Sequence, residues 1–456
     1  MKRFGKRDLP ELALTGADVL PLKRDEPPVI ARHPEPDRLA GLREQVLKQI
    51  DTVSVSNLSI TVLTHQVERI VNDLANEQRL ELSGPEQMRL AQDLTNDMLG
   101  YGPLTSLLLD DRITDIMVNG PTSVYVDRDN GQRERVAIRF RDFAHIATIA
   151  QKIAARVGRR IDEQSPMVDA RLPDGSRVNV IFPPLAVDGP CISIRKFPKH
   201  HYDLAGLVKN GSLNAAIAQL LEIATRCRLN ILISGGTGAG KTTLLNAMSQ
   251  SISSTERIIS IEDAAELQLQ QPHVIRLETR PPNLEGNGQI TQRDLVWNAL
   301  RMYPDRIIVG EVRGAEAFDM LQAMNTGHDG SISTIHANNT RDAVTRVENL
   351  VQMGHINLPL KAIRSQIVSA LDLIVQVERM RDGSRKVVQV TEICGLEGDV
   401  VTTNDVAVFK YNHDDAQGRI QGDYHSVQAV PKFLDRLAYF GLDRIWLETM
   451  RGITGA

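Results

Sequence analysis

The sequence predicts an α/β fold: a mostly parallel sheet flanked by helices, preceded by a smaller α+β domain and a small helical bundle. Three observations carry this. From about residue 212, short apolar runs ("LNILIS", "RIISIE", "RIIVGE", "SISTIH") alternate with helical stretches, the rhythm of strand–crossover–strand units. Before them, paired strands surround one amphipathic helix, "FAHIATIAQKIAARVG". Earlier still, Val67, Ile70, Val71 and Leu74 recur at helical spacing.

The elements follow in order. Residues 1–40 carry six of the 21 prolines with mixed charges; such a segment buries no core and reads as a flexible arm. Residues 41–99 read as the bundle, with Ser83 and Glu86 in capping-box spacing and Pro85 in the first turn. Residues 101–205 form the α+β domain. Its strands turn at Asn119-Gly120 and at Pro173-Asp174-Gly175, and "CISIRKF" adds another strand. Residues 206–400 form the parallel-sheet domain, with helices near 340–352 and 359–371 and an added antiparallel hairpin in "LIVQVERMRDGSRKVVQVTEI". Residues 401–456 are left as a C-terminal extension holding a short amphipathic helix, "KFLDRLAYFGL".

Composition narrows the function classes. Net charge is −4 and aromatics make up 4% of the 456 residues, which argues against a basic, base-stacking nucleic-acid channel. The three cysteines form no CxxC pair, so neither a zinc module nor a disulfide framework is expected. No apolar run is long enough to span a bilayer, and "MKRFGKRDLPEL" is not followed by the apolar core of a secretory signal. Work at a membrane then requires recruitment by a partner.

The strongest motif is "ILISGGTGAGKTT". It fits G-x-x-x-x-G-K-[ST], a loop whose glycines let successive backbone N–H groups turn around phosphate oxygens at a helix N-terminus. Gly235, Gly236, Thr237, Gly238, Ala239, Gly240, Lys241, Thr242 and Thr243 are the candidate nucleotide contacts. Lys241 is expected to reach the β- and γ-phosphates and Thr242 to hold Mg²⁺. Such a site needs acids at neighbouring strand ends. "RIISIEDAAEL" offers Glu262 and Asp263, with Glu266 one turn on, and "RIIVGEVR" offers Glu311. The second run ends in Gly-Glu without the customary Asp, so the metal is expected on Thr242 and the phosphates, with Asp263 and waters beside it. Glu311 is the favoured residue to orient or deprotonate water and Glu262 the second; capping of a following helix is the competing role for Glu262 and Asp263.

Two histidines flank "SISTI" in "TGHDGSISTIHANN". Along a strand they stand roughly 26 Å apart at ~3.3 Å per residue, too far to share one ion. His336 ends the strand on the edge that faces nucleotide, and His328 lies near the opposite edge.

These landmarks together resemble a known family. "GGTGAGKT", "IEDAAEL", "IIVGEVRGAEAFDMLQAMNTGH" and "GSISTIHA" look like the Walker A, Asp box, atypical Walker B and His box of the ATPases of type II and type IV secretion and type IV pili. "RLETRPPNLEGNGQITQRDLVWNALRMYPDRIIVGEVRG" is similar to the CpaF-like branch that drives tight-adherence (Tad/Flp) pili, and the missing four-cysteine module agrees with that branch. The resemblance spans about 60–400. It implies a RecA-like P-loop ATPase domain behind the α+β domain, ATP and Mg²⁺ between them, and a homohexamer. It also implies a place at the cytoplasmic face of the inner membrane, driving a pilus platform protein, with no nucleic acid. His336 is then a nucleotide sensor. Family architecture further suggests arginines from the α+β domain, where Arg171, Arg177 and Arg195 lie on or beside strands; Arg280, Arg293, Arg301 and Arg306 surround the "TRPPNLEGNG" loop, and Arg177 and Arg195 are the choices. A conjugative type IV secretion ATPase, a nucleic-acid translocase and a non-hydrolysing scaffold are the alternatives.

Overall fold

The computed structural model describes residues 37–50, 60–128, 132–197, 202–282, 287–354, 358–427 and 429–454. Residues 1–36 of the expected arm lie outside these. Residues 37–40 already belong to a helix, Asp37–Gln49, so the bundle starts earlier than expected.

That helix opens the first of two compact units, which runs to Gly102. It is followed by helices Ile60–Glu77 and Gly84–Met98. Leu42, Val46, Leu63, Val67, Val71, Leu74, Leu90 and Leu94 form its core, one apolar stripe from each helix. The capping box is present: Ser83 donates its N–H and its hydroxyl to Glu86 Oε2 at 2.8 and 2.6 Å.

The second unit begins at Pro103 and holds two sheets. The first has six strands: β1 (Ile113–Val118), β2 (Val124–Arg128), β3 (Arg133–Arg135), β4 (Met167–Arg171), β5 (Arg177–Ile181) and β6 (Cys191–Arg195). Their order is β3-β2-β1-β6-β5-β4, antiparallel throughout. Helix Phe143–Arg156 accompanies it, capped by Asp142, whose carboxylate accepts the His145 N–H.

The second sheet has nine strands in the order β15-β14-β13-β12-β7-β11-β10-β8-β9. Six of them, β7 (Ile231–Gly235), β8 (Ile258–Glu262), β9 (Val274–Glu278), β10 (Arg306–Val312), β11 (Ile332–Ile335) and β12 (Leu373–Arg379), run parallel. The strands β13 (Arg385–Glu397), β14 (Val400–Asp414) and β15 (Ile420–His425) continue the sheet antiparallel. The four parallel strands read from the sequence occupy its middle, where burial on both faces leaves near-continuous apolar runs. The edge strand β9 has only intermediate and exposed positions and was not anticipated.

The expectation of a separate extension after residue 400 gives way. β14 and β15 belong to the sheet, and Phe433, just before the last two helices, joins Leu437, Trp446, Met450 and Ile453 within them in the core around helix Ala215–Arg226. Trp446 is fully buried, edge-on to Phe433 at 5.3 Å. The amino-terminal ends of the strands are tied by an ion pair: Arg306, wholly buried, donates to both oxygens of Glu256 at 2.6 and 3.1 Å and to the Gly330 carbonyl. Gly330 has φ +83, and a Cβ there would come within 2.5 Å of the guanidinium. Trp446→Ala is expected to cost about 3–5 kcal/mol, the range for emptying a buried aromatic site, and chemical denaturation of the whole chain measures it.

Candidate functional site

The P-loop lies between β7 and helix Lys241–Ser249. Gly235 is required by close approach: a Cβ would stand 2.3 Å from the Val377 carbonyl of β12. Gly238 and Gly240 take φ values of +71 and +101, open to glycine without strain. Lys241, 8% exposed, bends back over the loop and donates to the Gly235 and Gly236 carbonyls, each at 3.1 Å. Burial pulls its ammonium below its ordinary pKa, and the Glu311 carboxylate acts in the opposite sense.

Strand order decides which groups meet. β7, β11, β10 and β8 are successive neighbours, so Lys241, His336, Glu311 and Glu262 follow in that order along one edge. His336 Nε2 is 2.8 Å from Glu311 Oε1 and 3.4 Å from Lys241 Nζ. Burial, then Lys241, keeps the imidazole below its usual pKa. Burial alone would raise the Glu311 pKa, but Arg313, at 2.8 Å from Oε2, holds it below the ordinary value, with His336 and Lys241 adding to that. Glu311 is therefore an ionised carboxylate beside the P-loop lysine.

Glu262 behaves differently. It is 4% exposed, and its Oε2 accepts the backbone N–H groups of Glu266 and Leu267 at 2.7 and 2.9 Å. Of the two roles read from the sequence, it takes one akin to capping, though the segment it holds is a loop. Burial pushes it up to about 7. The glycine before Glu311 now has a reason: a Cβ on Gly310 would stand 2.7 Å from the Glu262 Cγ. Asp263 lies on the cleft wall, 3.6 Å from the Arg313 guanidinium. Among the described residues no group of three or more His, Cys, Asp or Glu is arranged to hold a metal ion.

The cleft has a volume of about 1220 Å³ and is lined from both sheets, with Thr237 and Gly238 on one side and Arg171, Arg177 and Arg195 on the other. Each arginine already has a carboxylate partner. Arg177 pairs with Glu266 at 2.8 Å, Arg195 with Asp115 at 3.1 Å, and Arg171 with Glu278 at 2.8 Å. Arg171 also donates to the Ala265 carbonyl at 2.6 Å. Arg177 and Arg195 thus reach the cleft as members of ion pairs.

Of the other candidates, Arg280 also lines the cleft. Arg306 is the buried tie described above, Arg293 pairs with Asp319 at 2.9 Å, and Arg280 donates to the Gly288 carbonyl at 2.7 Å. His328 lies at the far edge, its Nδ1 3.0 Å from the Pro304 carbonyl. Sequence reasoning missed Arg313, although it stands two residues after Glu311, and gave no role to Arg379 and Arg385, which also line the cleft.

The family described as type II/IV secretion system protein matches residues 97–421. A Mycobacterium tuberculosis protein with a provisional conjugal-transfer name is 43% identical over 67% of this chain and 88% of its own length. The conjugal transfer protein TrbB of Rhizobium radiobacter is 33% identical over 69% of this chain and 92% of its own. The crystal structure of the VirB11 ATPase from the Brucella suis type IV secretion system shows 29% identity, with a TM-score of 0.34, over 63% of this chain and 94% of that one.

Glu262 generates a pH prediction. Its folded pKa of about 7 exceeds the unfolded value of 4.5. The stability it contributes is therefore complete below pH 4.5 and lost as pH rises through 7. Glu262→Gln keeps an acceptor for the two amides and removes the charge. Its denaturation free energy should exceed wild type by on the order of 3 kcal/mol at pH 8, and the gap should close towards pH 4.5. A gap that does not change with pH would contradict this.

Proposed function

The chain belongs to the type II/IV secretion system protein family, and from that premise we propose that it is an ATP-hydrolysing motor of a secretion or pilus machine. The observation that carries the reading is the convergence of Lys241, His336 and ionised Glu311 at the mouth of the P-loop. A triphosphate suits the cradle: glycines where a Cβ would collide or φ is positive, and a buried ammonium within reach of the loop carbonyls. Thr242, first turn of the helix, is the residue to hold Mg²⁺, which when bound neutralises charge between the β- and γ-phosphates. Asp263 is the acid on the cleft wall nearest in sequence to that task.

Glu311 orients the attacking water and accepts its proton. His336, whose Nε2 stands between that carboxylate and the Lys241 ammonium, links the two and acts as the sensor of the γ-phosphate. Glu262 is a positioning residue here, holding the 263–267 loop rather than activating water. Arg177 and Arg195 act on the transferring phosphoryl group once released from Glu266 and Asp115. Those pairs are partly exposed, and exposed pairs are held by only ~0–1 kcal/mol.

The finer reading is a homohexamer that powers Tad/Flp pilus assembly through an inner-membrane platform protein, working at the cytoplasmic face of that membrane. It is supported by the "RLETRPPNLEGNG" segment. No described helix is long and apolar enough to cross a membrane, which suits recruitment by a partner. The second reading, a conjugative type IV secretion ATPase, is favoured by the conjugal-transfer names of the relatives.

Two experiments follow. Lys241→Ala should abolish turnover, and Glu311→Gln should lower kcat by roughly 10²–10⁴, the usual worth of a positioned general base, while nucleotide still binds; undiminished turnover in either sinks the catalytic reading. Single-stranded DNA should leave the ATPase rate unchanged, and strong stimulation by it would overturn the pilus reading.

A further inference from the structure

The hairpin between β12 and β13 brings two arginines to the cleft. Arg379 and Arg385 face one another across its register. Arg385 touches the P-loop at two points. Its Nε donates to the Gly238 carbonyl at 2.9 Å, and its Cδ lies 3.2 Å from where a Cβ on Gly240 would stand. Both glycines have positive φ, so the arginine rests on the part of the loop whose shape is least enforced by side chains.

A trans peptide directs its C=O and N–H to opposite sides. The Gly238 carbonyl belongs to the same peptide as the Ala239 N–H. Holding that carbonyl outward on Arg385 turns the Ala239 N–H into the loop, where it meets the Gly236 carbonyl at 3.3 Å. Inward-facing amides of this kind are what a phosphate oxygen binds. Without the arginine, the same peptide can flip and present a carbonyl, which repels phosphate.

The support is built for precision. Met380 N–H donates to the Ser384 carbonyl, closing the turn. Asp382 accepts from the Ser384 N–H and hydroxyl and, through its other oxygen, from the Ile420 N–H of β15. The arginine therefore stands on the antiparallel half of the sheet and acts on the parallel half. Burial, then the charge of Arg379, draws its pKa below that of an ordinary arginine.

We propose that Arg385 is a positioning residue for nucleotide binding, which sets the Gly238–Ala239 peptide of the P-loop in its phosphate-accepting orientation. This rests on the nucleotide reading above. The test titrates the full-length protein with MgADP and measures steady-state ATP turnover for wild type, Arg385→Gln and Arg385→Lys. Arg385→Gln is expected to weaken MgADP binding by roughly tenfold or more, as loss of a charge-assisted hydrogen bond implies, with the loss falling on KM more than on kcat. Arg385→Lys keeps the charge and stem without the Nε donor and should fall between the two. Thermal unfolding midpoints show whether each variant is folded, and the lysine variant alone carries the test if the glutamine variant is not. Wild-type affinity in a folded variant, or a fall in kcat at unchanged KM, overturns the proposal. Failure of the wild type itself to bind MgADP overturns the nucleotide reading instead.

Discussion

The site depends on one constraint: a lysine ammonium buried at the carboxyl edge of a parallel sheet must be matched by acceptors and opposite charge. Two loop carbonyls accept from Lys241, and the ionised Glu311 lies beyond His336. None of these partners is near it in sequence except the carbonyls. They meet because β11 is inserted between β7 and β10, which puts the end of "SISTIH" between the P-loop and "RIIVGE". The same order sets Gly310 against Glu262, so the strand that delivers Glu311 can approach β8 only where a Cβ is missing.

A second set of contacts joins the antiparallel sheet to the ATPase sheet. Arg171 and Arg177 both end on the short stretch after β8, at the Ala265 carbonyl and the Glu266 carboxylate. That stretch is in turn held by Glu262 through the amides of 266 and 267. Glu262 thus lies underneath the contact between the sheets. Its neutralisation near pH 7 reflects how completely the stretch covers it. The arginine pairs themselves are partly solvated and weak individually, so what they supply is register between the two sheets rather than stability.

Legibility followed burial. The central strands could be read because both faces are covered and the runs are almost wholly apolar. β9 escaped because an edge strand needs no such run; its residues "VIRLE" alternate only loosely. Glu311 and His336 were legible as strand-end residues after a P-loop. Glu262 was assigned two competing roles, because a carboxylate at a strand end looks the same in sequence whether it turns towards water or towards backbone amides. Arg385 left no local signal at all, being 147 residues from Gly238.

By itself the sequence determined the phosphate loop, the bundle's capping box, the parallel centre of the sheet and the acids at its strand ends. Each is encoded within a few residues, by glycine at positive φ, by hydrogen bonds three residues apart, or by a run of β-branched side chains. Tertiary structure alone decided that β14, β15 and the last two helices complete the ATPase sheet and core, that Arg177 and Arg195 arrive already paired, and that an arginine from a distant hairpin braces the loop. Those outcomes depend on which strands become neighbours, and pairing between distant segments is settled by the burial of the whole core, to which no short stretch of sequence has access.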